Sequence, residues 1–250
     1  VSVIVITYNS SNFVIETLES IKGQDYKKIE LIISDDASTD ETVNFCNEWL
    51  ANNKDYFFRT TLVSASTNNG IPSNCNQGFK LASGDWIKYI AGDDVLHFQC
   101  ISNFMEYALN HPDAQIVGSV SQCFKNTFIT KNFGLVHTFE NEFFFSEFIT
   151  PKQQYQMLLR RNFLDAPSVF IKKSAILKVG GFDERFKYIE DYPLWLKFSK
   201  LGGKIYFMNK ITVYYRQHEY SIYAGVENKK LFNNFYLKKR KIDLSLIHPY

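Results

Sequence analysis

The sequence predicts an α/β fold built on a central, mostly parallel sheet with helices packed on its faces. Three observations predict it. Nearly unbroken β-branched runs, "VSVIVITYN" (1–9) and "IELIIS" (29–34), are the signature of strands covered on both sides. Amphipathic stretches alternate with these runs at the spacing of crossover helices. Three strand ends also carry polar residues, Thr7-Tyr8-Asn9, Asp35-Asp36 and Asp93-Asp94, and open parallel sheets bind ligands beyond the carboxyl ends of their strands.

Taken in order, the first strand is followed by a helix whose Val14, Leu18 and Ile21 share one face. The second strand closes in "DDASTD", and a helix over 39–50 follows, capped near Ser38 or Thr39. "FFRTTLVS" (57–64) is a third strand. Pro72 opens a helix with Cys75, Phe79 and Ala82 on one face, and "DWIKYI" (85–90) is a fourth strand. A helix near 98–110, a strand at 115–120 and a Phe-rich stretch over 132–150 come next. A helix over 151–160 precedes "APSVFIKKSAILKVGGF" (166–182), which reads as strand, short helix and Gly-Gly turn. A helix over 191–201, with Leu194, Phe198 and Leu201 inward, leads to a late strand at 210–218 and a basic, aromatic helix over 226–241. The organisation expected is a ligand-binding half (1–97), a second half of the same domain (98–221) and a C-terminal extension (222–250).

Composition narrows the classes. The 250 residues suffice for a substantial core, and the 45% hydrophobic and 22% charged fractions are those of a soluble globular chain. A net charge of +2 is too small to argue for nucleic acid as a partner. The four cysteines, Cys46, Cys75, Cys100 and Cys123, form no metal-binding spacing and suit a reducing compartment. No apolar run reaches the length of a spanning helix. The chain starts at Val1 inside a strand-like run, as a fragment or trimmed chain would.

The polar strand ends belong to a longer series: "VSVIVITYN", "IELIISDDASTDET", "NNGIPSNCNQGFKLASGDWIKYIAGDD", "GGFDERF", "IEDYPLWLK" and "YYRQHEYS". In this order, to about residue 221, the series resembles the family 2 glycosyltransferases of the GT-A fold, of bacterial polysaccharide or O-antigen type. The resemblance implies an inverting transferase that uses a nucleotide-sugar donor, most often UDP-linked, a divalent metal (Mn²⁺ or Mg²⁺), and a saccharide or lipid-linked oligosaccharide acceptor. By position it implies that Tyr8 stacks on the nucleobase, with Thr7 and Asn9 beside it, and that Asp36 accepts a hydrogen bond from the base. Asp93 would approach the ribose or the metal, Asp94 would bind the metal, and His218 would complete that site. Asp191 would be the catalytic base, with Glu190 and Trp195 toward the acceptor. Two departures stand out: Ala91 occupies a position where many relatives carry Asp, and Cys75 one where many carry Arg, which bears on any phosphate contact from that helix.

The chemistry fits these residue types. Displacing a sugar from a diphosphate builds negative charge on the leaving group, which a hard cation neutralises with few protein carboxylates. That would relieve the repulsion within Asp93-Asp94. Plainer readings stand beside each assignment. Gly-Asp-Asp also makes a helix-capping turn, and "DDASTDE" also suits a helix start. Asp191, two residues before Pro193, is a good helix N-terminus. His218 is equally at home in a solvated loop, and Arg216 would contact either a phosphate or a surface acid. The Phe-rich stretch reads as core, or as an apolar platform for a sugar ring or lipid. The C-terminal helix, with Leu231, Phe232, Phe235 and Tyr236 followed by Lys238 to Lys241, fits either docking on the domain or peripheral contact with an anionic membrane surface. The expected location is the cytoplasm, including the inner face of the plasma membrane.

Two alternatives come from other classes. A sugar nucleotidyltransferase would carry a Gly-rich basic loop after the first strand, where this chain reads "TYNSSN". A non-catalytic nucleotide- or sugar-binding module of the same fold would bind without transfer. A dinucleotide-dependent oxidoreductase is disfavoured, because no GxGxxG occurs.

Overall fold

The computed structural model describes residues 1–129, 133–137 and 143–219. The C-terminal helix expected over 226–241, the extension 222–250 and part of the Phe-rich stretch lie outside the described residues. Among those described, nine strands form one mixed sheet in the order β3-β2-β1-β4-β8-β6-β9-β5, with β7 pairing to β6.

The N-terminal half is wholly parallel. β1 (Ser2–Thr7) lies between β2 (Glu30–Asp35) and β4 (Trp86–Ala91), and β3 (Arg59–Ser64) edges β2. Alternation across the pleat splits the apolar side chains between two cores. Ile4 and Ile32 pack into one cluster, while Val3, Val5, Leu31 and Ile33 pack into the other. Covering both faces of β1 and β2 explains why they read as continuous apolar runs. The helices that cover them are α1 (Val14–Lys22), α2 (Thr42–Asn53) and α3 (Ile71–Leu81). Gly78 of α3 sits directly on the sheet, where an added Cβ would lie 2.5 Å from Ile4 Cγ2.

The second half adds β5 (Val95–Leu96), α4 (Cys100–Asn110), β6 (Ile116–Lys125), β7 (Phe133–His137), α5 (Pro151–Leu158), β8 (Val169–Lys172), α6 (Lys173–Lys178), α7 (Asp191–Lys200) and β9 (Ile205–Gln217). β6 runs parallel to β9 and antiparallel to β8, and β8 joins β4, so the sheet continues through both halves. α5 begins with a reciprocal cap between Thr150 and Gln153. Of the Phe-rich stretch, Phe144 is buried in the core whereas Phe143 and Phe148 are exposed.

Two local expectations need correction. α2 starts at Thr42, not at 39, because Ser38 and Thr39 are engaged elsewhere: Ser38 Oγ donates to Asp35, and the Thr39 N–H donates to Asn9. Asp40 instead accepts the Thr42 N–H at 3.0 Å. Leu201 is 52% exposed, since α7 stops at Lys200 and the chain turns outward toward Gly202, at φ +82°.

Candidate active site

The ends of β1, β2 and β4 lie side by side, as Thr7 pairs with Asp35 and Ile6 with Ala91. Chain direction changes sharply there, with positive φ at Asn9 (50°) and Ala37 (63°). Asp35 is buried and fully engaged: it accepts from Thr7 Oγ1 (2.8 Å), from the Ser38 N–H and hydroxyl, and from Ser64 Oγ (2.9 Å). It ties three strand ends together. Asp36 points the other way, and its two oxygens accept the Asn69 and Gly70 N–H groups at 2.9 and 2.8 Å. An ionised carboxylate has about four acceptor positions, so each oxygen keeps capacity for a ligand donor. Thr7 is buried, whereas Tyr8 is 49% exposed and Asn9 is exposed above the strand ends.

The paired aspartates diverge. Asp93 Oδ2 lies 2.9 Å from His218 Nε2, while Asp94 turns inward and its Oδ1 accepts the Arg216 N–H at 2.9 Å. Burial, followed by the neighbouring Asp93 charge, pushes the Asp94 carboxyl well above the usual range. Gly92 permits this turn: an added Cβ would lie 2.8 Å from Thr7 Cγ2. The carboxylate beside His218 is therefore the half-buried Asp93, whereas position alone implies Asp94 as the metal ligand. A carboxylate and an imidazole on opposing segments suit a divalent cation as two of its ligands. Among the described residues no cluster of three or more His, Cys, Asp or Glu surrounds such a position.

Asp191 opens α7, half-buried. Its Oδ1 accepts the Tyr192 N–H at 2.6 Å and its Oδ2 accepts Asn162 Nδ2 at 2.8 Å. Burial raises its carboxyl to about 6, against those two bonds. Burial and the adjacent Asp191 raise Glu190 to about 8. Close to them lies the buried thiol of Cys75, whose own ionisation they suppress after burial has done so. Trp195 is 1% exposed and part of the core cluster, so it presents no open face to an acceptor. α3 couples these regions: the loop that opens it holds Asp36, and its Asn76 bonds both N–H and C=O of Phe182 at 2.9 Å. Gly70 there, at φ +94°, approaches Lys187 so closely that a Cβ would meet its carbonyl oxygen at 2.4 Å.

Arg216 is 2% exposed and pairs with Glu16, so of its two sequence readings the structure places it on an acid. Asn162, Asn76 and the buried Lys88 are the residues that sequence reasoning missed. Asn162 had no visible signal, because its partner lies 29 positions away. Lys88 was visible as a cation inside an apolar strand. Its Nζ donates to the Tyr89 and Pro167 carbonyls, and burial lowers it to about 8. All four cysteines are buried free thiols, and no described helix is long and apolar enough to cross a membrane.

The family model "Glycosyl transferase family 2" matches residues 2–177. The chain is 28% identical over 227 residues to the UDP-Glc:alpha-D-GlcNAc-diphosphoundecaprenol beta-1,3-glucosyltransferase WfaP of Escherichia coli, covering 90% of this chain and 80% of that protein. An uncharacterized glycosyltransferase of Rickettsia typhi is 26% identical over 227 residues, 88% of this chain, which spans only 64% of that relative's length. Among solved structures, S. aureus TarS 1-349 in complex with UDP-GlcNAc superposes with a TM-score of 0.68 at 19% identity, over 91% of this chain and 60% of that one. The mannosyltransferase PcManGT from Pyrobaculum calidifontis, in complex with GDP-Man and Mn²⁺, gives 0.63 at 19% identity, over 86% and 56%. These structural similarities establish a shared fold.

Proposed function

This chain belongs to glycosyl transferase family 2, and on that footing we propose that it transfers a hexosyl or N-acetylhexosaminyl unit from a UDP-sugar to a saccharide or lipid-linked acceptor, with inversion. The observation that carries this reading is the meeting of Asp93 with His218 at 2.9 Å, beside strand ends that expose Tyr8 and hold the buried Asp36. WfaP, by its name, uses UDP-Glc and a diphosphoundecaprenol-linked acceptor, which supports the donor and acceptor classes.

In this reading Tyr8 stacks on the uracil ring and Asp36 accepts a hydrogen bond from it. Thr7 acts indirectly, by fixing Asp35 and so the turn that presents Tyr8 and Asn9. Asp93 and His218 would hold Mn²⁺ or Mg²⁺, which when bound neutralises charge developing on the departing diphosphate. Asp94 shapes the turn from inside. Asp191 receives the proton of the acceptor hydroxyl as that oxygen bonds the anomeric carbon and the bond to the diphosphate oxygen breaks. A single displacement of this kind inverts the anomeric centre. A carboxyl near 6 is mostly ionised at neutral pH yet basic enough to take the proton, and Asn162 fixes its orientation. Glu190, near 8, is neutral at pH 7 and donates a hydrogen bond to the acceptor. With a lipid-linked acceptor the protein would work peripherally at the inner face of the plasma membrane.

The test is thermal unfolding of the protein with a series of nucleotide sugars, with and without Mn²⁺. A ligand that binds only the folded state raises the midpoint. The expected result is a rise that requires both Mn²⁺ and a UDP-sugar. No rise with any nucleotide sugar, in either condition, would overturn the proposal.

A further inference from the structure

Arg216 ties three other segments of the chain to its own strand. Its Nε donates to the Asp93 carbonyl at 2.7 Å, its Nη1 to the Asn126 carbonyl and its Nη2 to Glu16. Its own N–H holds the Asp94 carboxylate. The guanidinium lies between two rings, 4.7 Å from the Phe13 centroid and 4.2 Å from that of Phe128. The same Phe13 ring packs against His218 at 4.6 Å. A planar, permanently charged fork suits this site, since it forms directed bonds along its edge while both faces stack on aromatics.

Asp93 sits on the turn after β4, and His218 follows β9 by one residue; the two join across 125 positions of sequence. β5 contributes only two residues to the pairing with β9, which is little to set side-chain geometry at a turn. The Arg216 side chain bridges directly from the strand carrying His218 to the backbone of Asp93, and α1 closes over it through Phe13 and Glu16.

We propose that Arg216 is a positioning residue that holds Asp93 against His218, and that it does so as a buried clamp and not as a ligand of the donor's phosphates. The proposal deepens the reading of Asp93 and His218 as metal ligands, and rests on that reading only where Mn²⁺ is the probe. At 2% exposure, Arg216 offers no open face to a phosphate, whereas its bonds reach both members of the aspartate pair. Groups that orient metal ligands from behind typically change affinity by about 10–100-fold when removed.

The test uses Arg216→Lys, which keeps the charge but loses the fork, with two readouts on nucleotide-free protein, the second repeated in the presence of UDP. The first is the ring-nitrogen NMR signal of His218 in metal-free, histidine-labelled protein. The expected result is loss of the hydrogen-bonded Nε2 signature seen in the unmodified chain. The second is the Mn²⁺ dissociation constant by electron paramagnetic resonance, expected to rise about 10–100-fold. If Arg216→Lys fails to fold, Phe128→Leu removes one stacking face and shifts both readouts in the same direction by a smaller factor. An unchanged His218 signal together with unchanged Mn²⁺ affinity would overturn the proposal; a loss of affinity seen only when UDP is present would do the same, by making Arg216 a phosphate ligand. Failure of the unmodified protein to bind Mn²⁺ would sink the metal reading alone, and the NMR signal would then decide for or against the clamp.

Discussion

His218 Nε2 lies 2.9 Å from Asp93 Oδ2, while the adjacent Asp94 carboxylate is buried and accepts a backbone N–H. Two neighbouring aspartates thus have separate partners. Asp93→Asn or His218→Ala is expected to lower transfer at least about 100-fold, the kinetic equivalent of roughly 3 kcal/mol of lost charge stabilisation, and to abolish the Mn²⁺-dependent stabilisation by a UDP-sugar. Asp94→Asn keeps an oxygen for the Arg216 N–H and is expected to cost less than about tenfold. Steady-state rates and Mn²⁺-dependent thermal shifts of the three variants check this. The reverse ranking would place the metal on Asp94.

Asp35 is expected to matter for stability more than for chemistry. Its carboxylate takes hydrogen bonds from Thr7, Ser38 and Ser64. In Asp35→Asn the amide nitrogen faces donors, and bonds to a charged acceptor are lost, each worth about 1.5–3 kcal/mol. Urea denaturation should show a drop of that order, with kcat reduced less than donor affinity, because the turn presenting Tyr8 loosens. A wild-type midpoint would contradict the anchoring role.

The strand ends were legible because β-branched runs, uninterrupted by charge, admit few other structures when buried on both faces. Asp36 and Asp191 could be marked for the same reason: each follows or precedes an element whose type the sequence makes plain. Which way a side chain turns at such an end was not legible. Asp35 and Asp36 are chemically identical, buried neighbours, and only the positive φ at Ala37 and the approach of Asn69 and Gly70 separate the one that anchors three strand ends from the one that holds the loop before α3. The same holds for Asp93 and Asp94. Trp195, expected toward the acceptor, lies in the core because α7 buries Leu194, Trp195 and Phe198 together in one hydrophobic cluster. Asn162 was invisible, since a contact between a loop and a distant helix start leaves no periodicity.

The acid pair at α7 gives a pH dependence with a definite sign. Asp191 ionises near 6 and Glu190 near 8, so kcat/KM is expected to rise through pH 6 and fall through pH 8. Glu190→Gln should remove the upper limb and leave the lower. Both folded values lie above their ordinary ones, so the native state holds extra protons. The stability they contribute is complete below about pH 4 and declines as pH rises through 6 and 8. Chemical denaturation from pH 4 to 9 should show that decline, and Glu190→Gln should flatten its upper part.

Asp191→Asn tests the central claim most directly, with transfer from a UDP-sugar and nucleotide-induced thermal stabilisation measured on the same preparation. The amide keeps an acceptor for the Tyr192 N–H but cannot take a proton. The expected result is transfer reduced at least about 100-fold with the stabilisation by donor and Mn²⁺ retained. Transfer at the unmodified rate would mean that the proton leaves by another route, and that the carboxylate at the start of α7 is not the base.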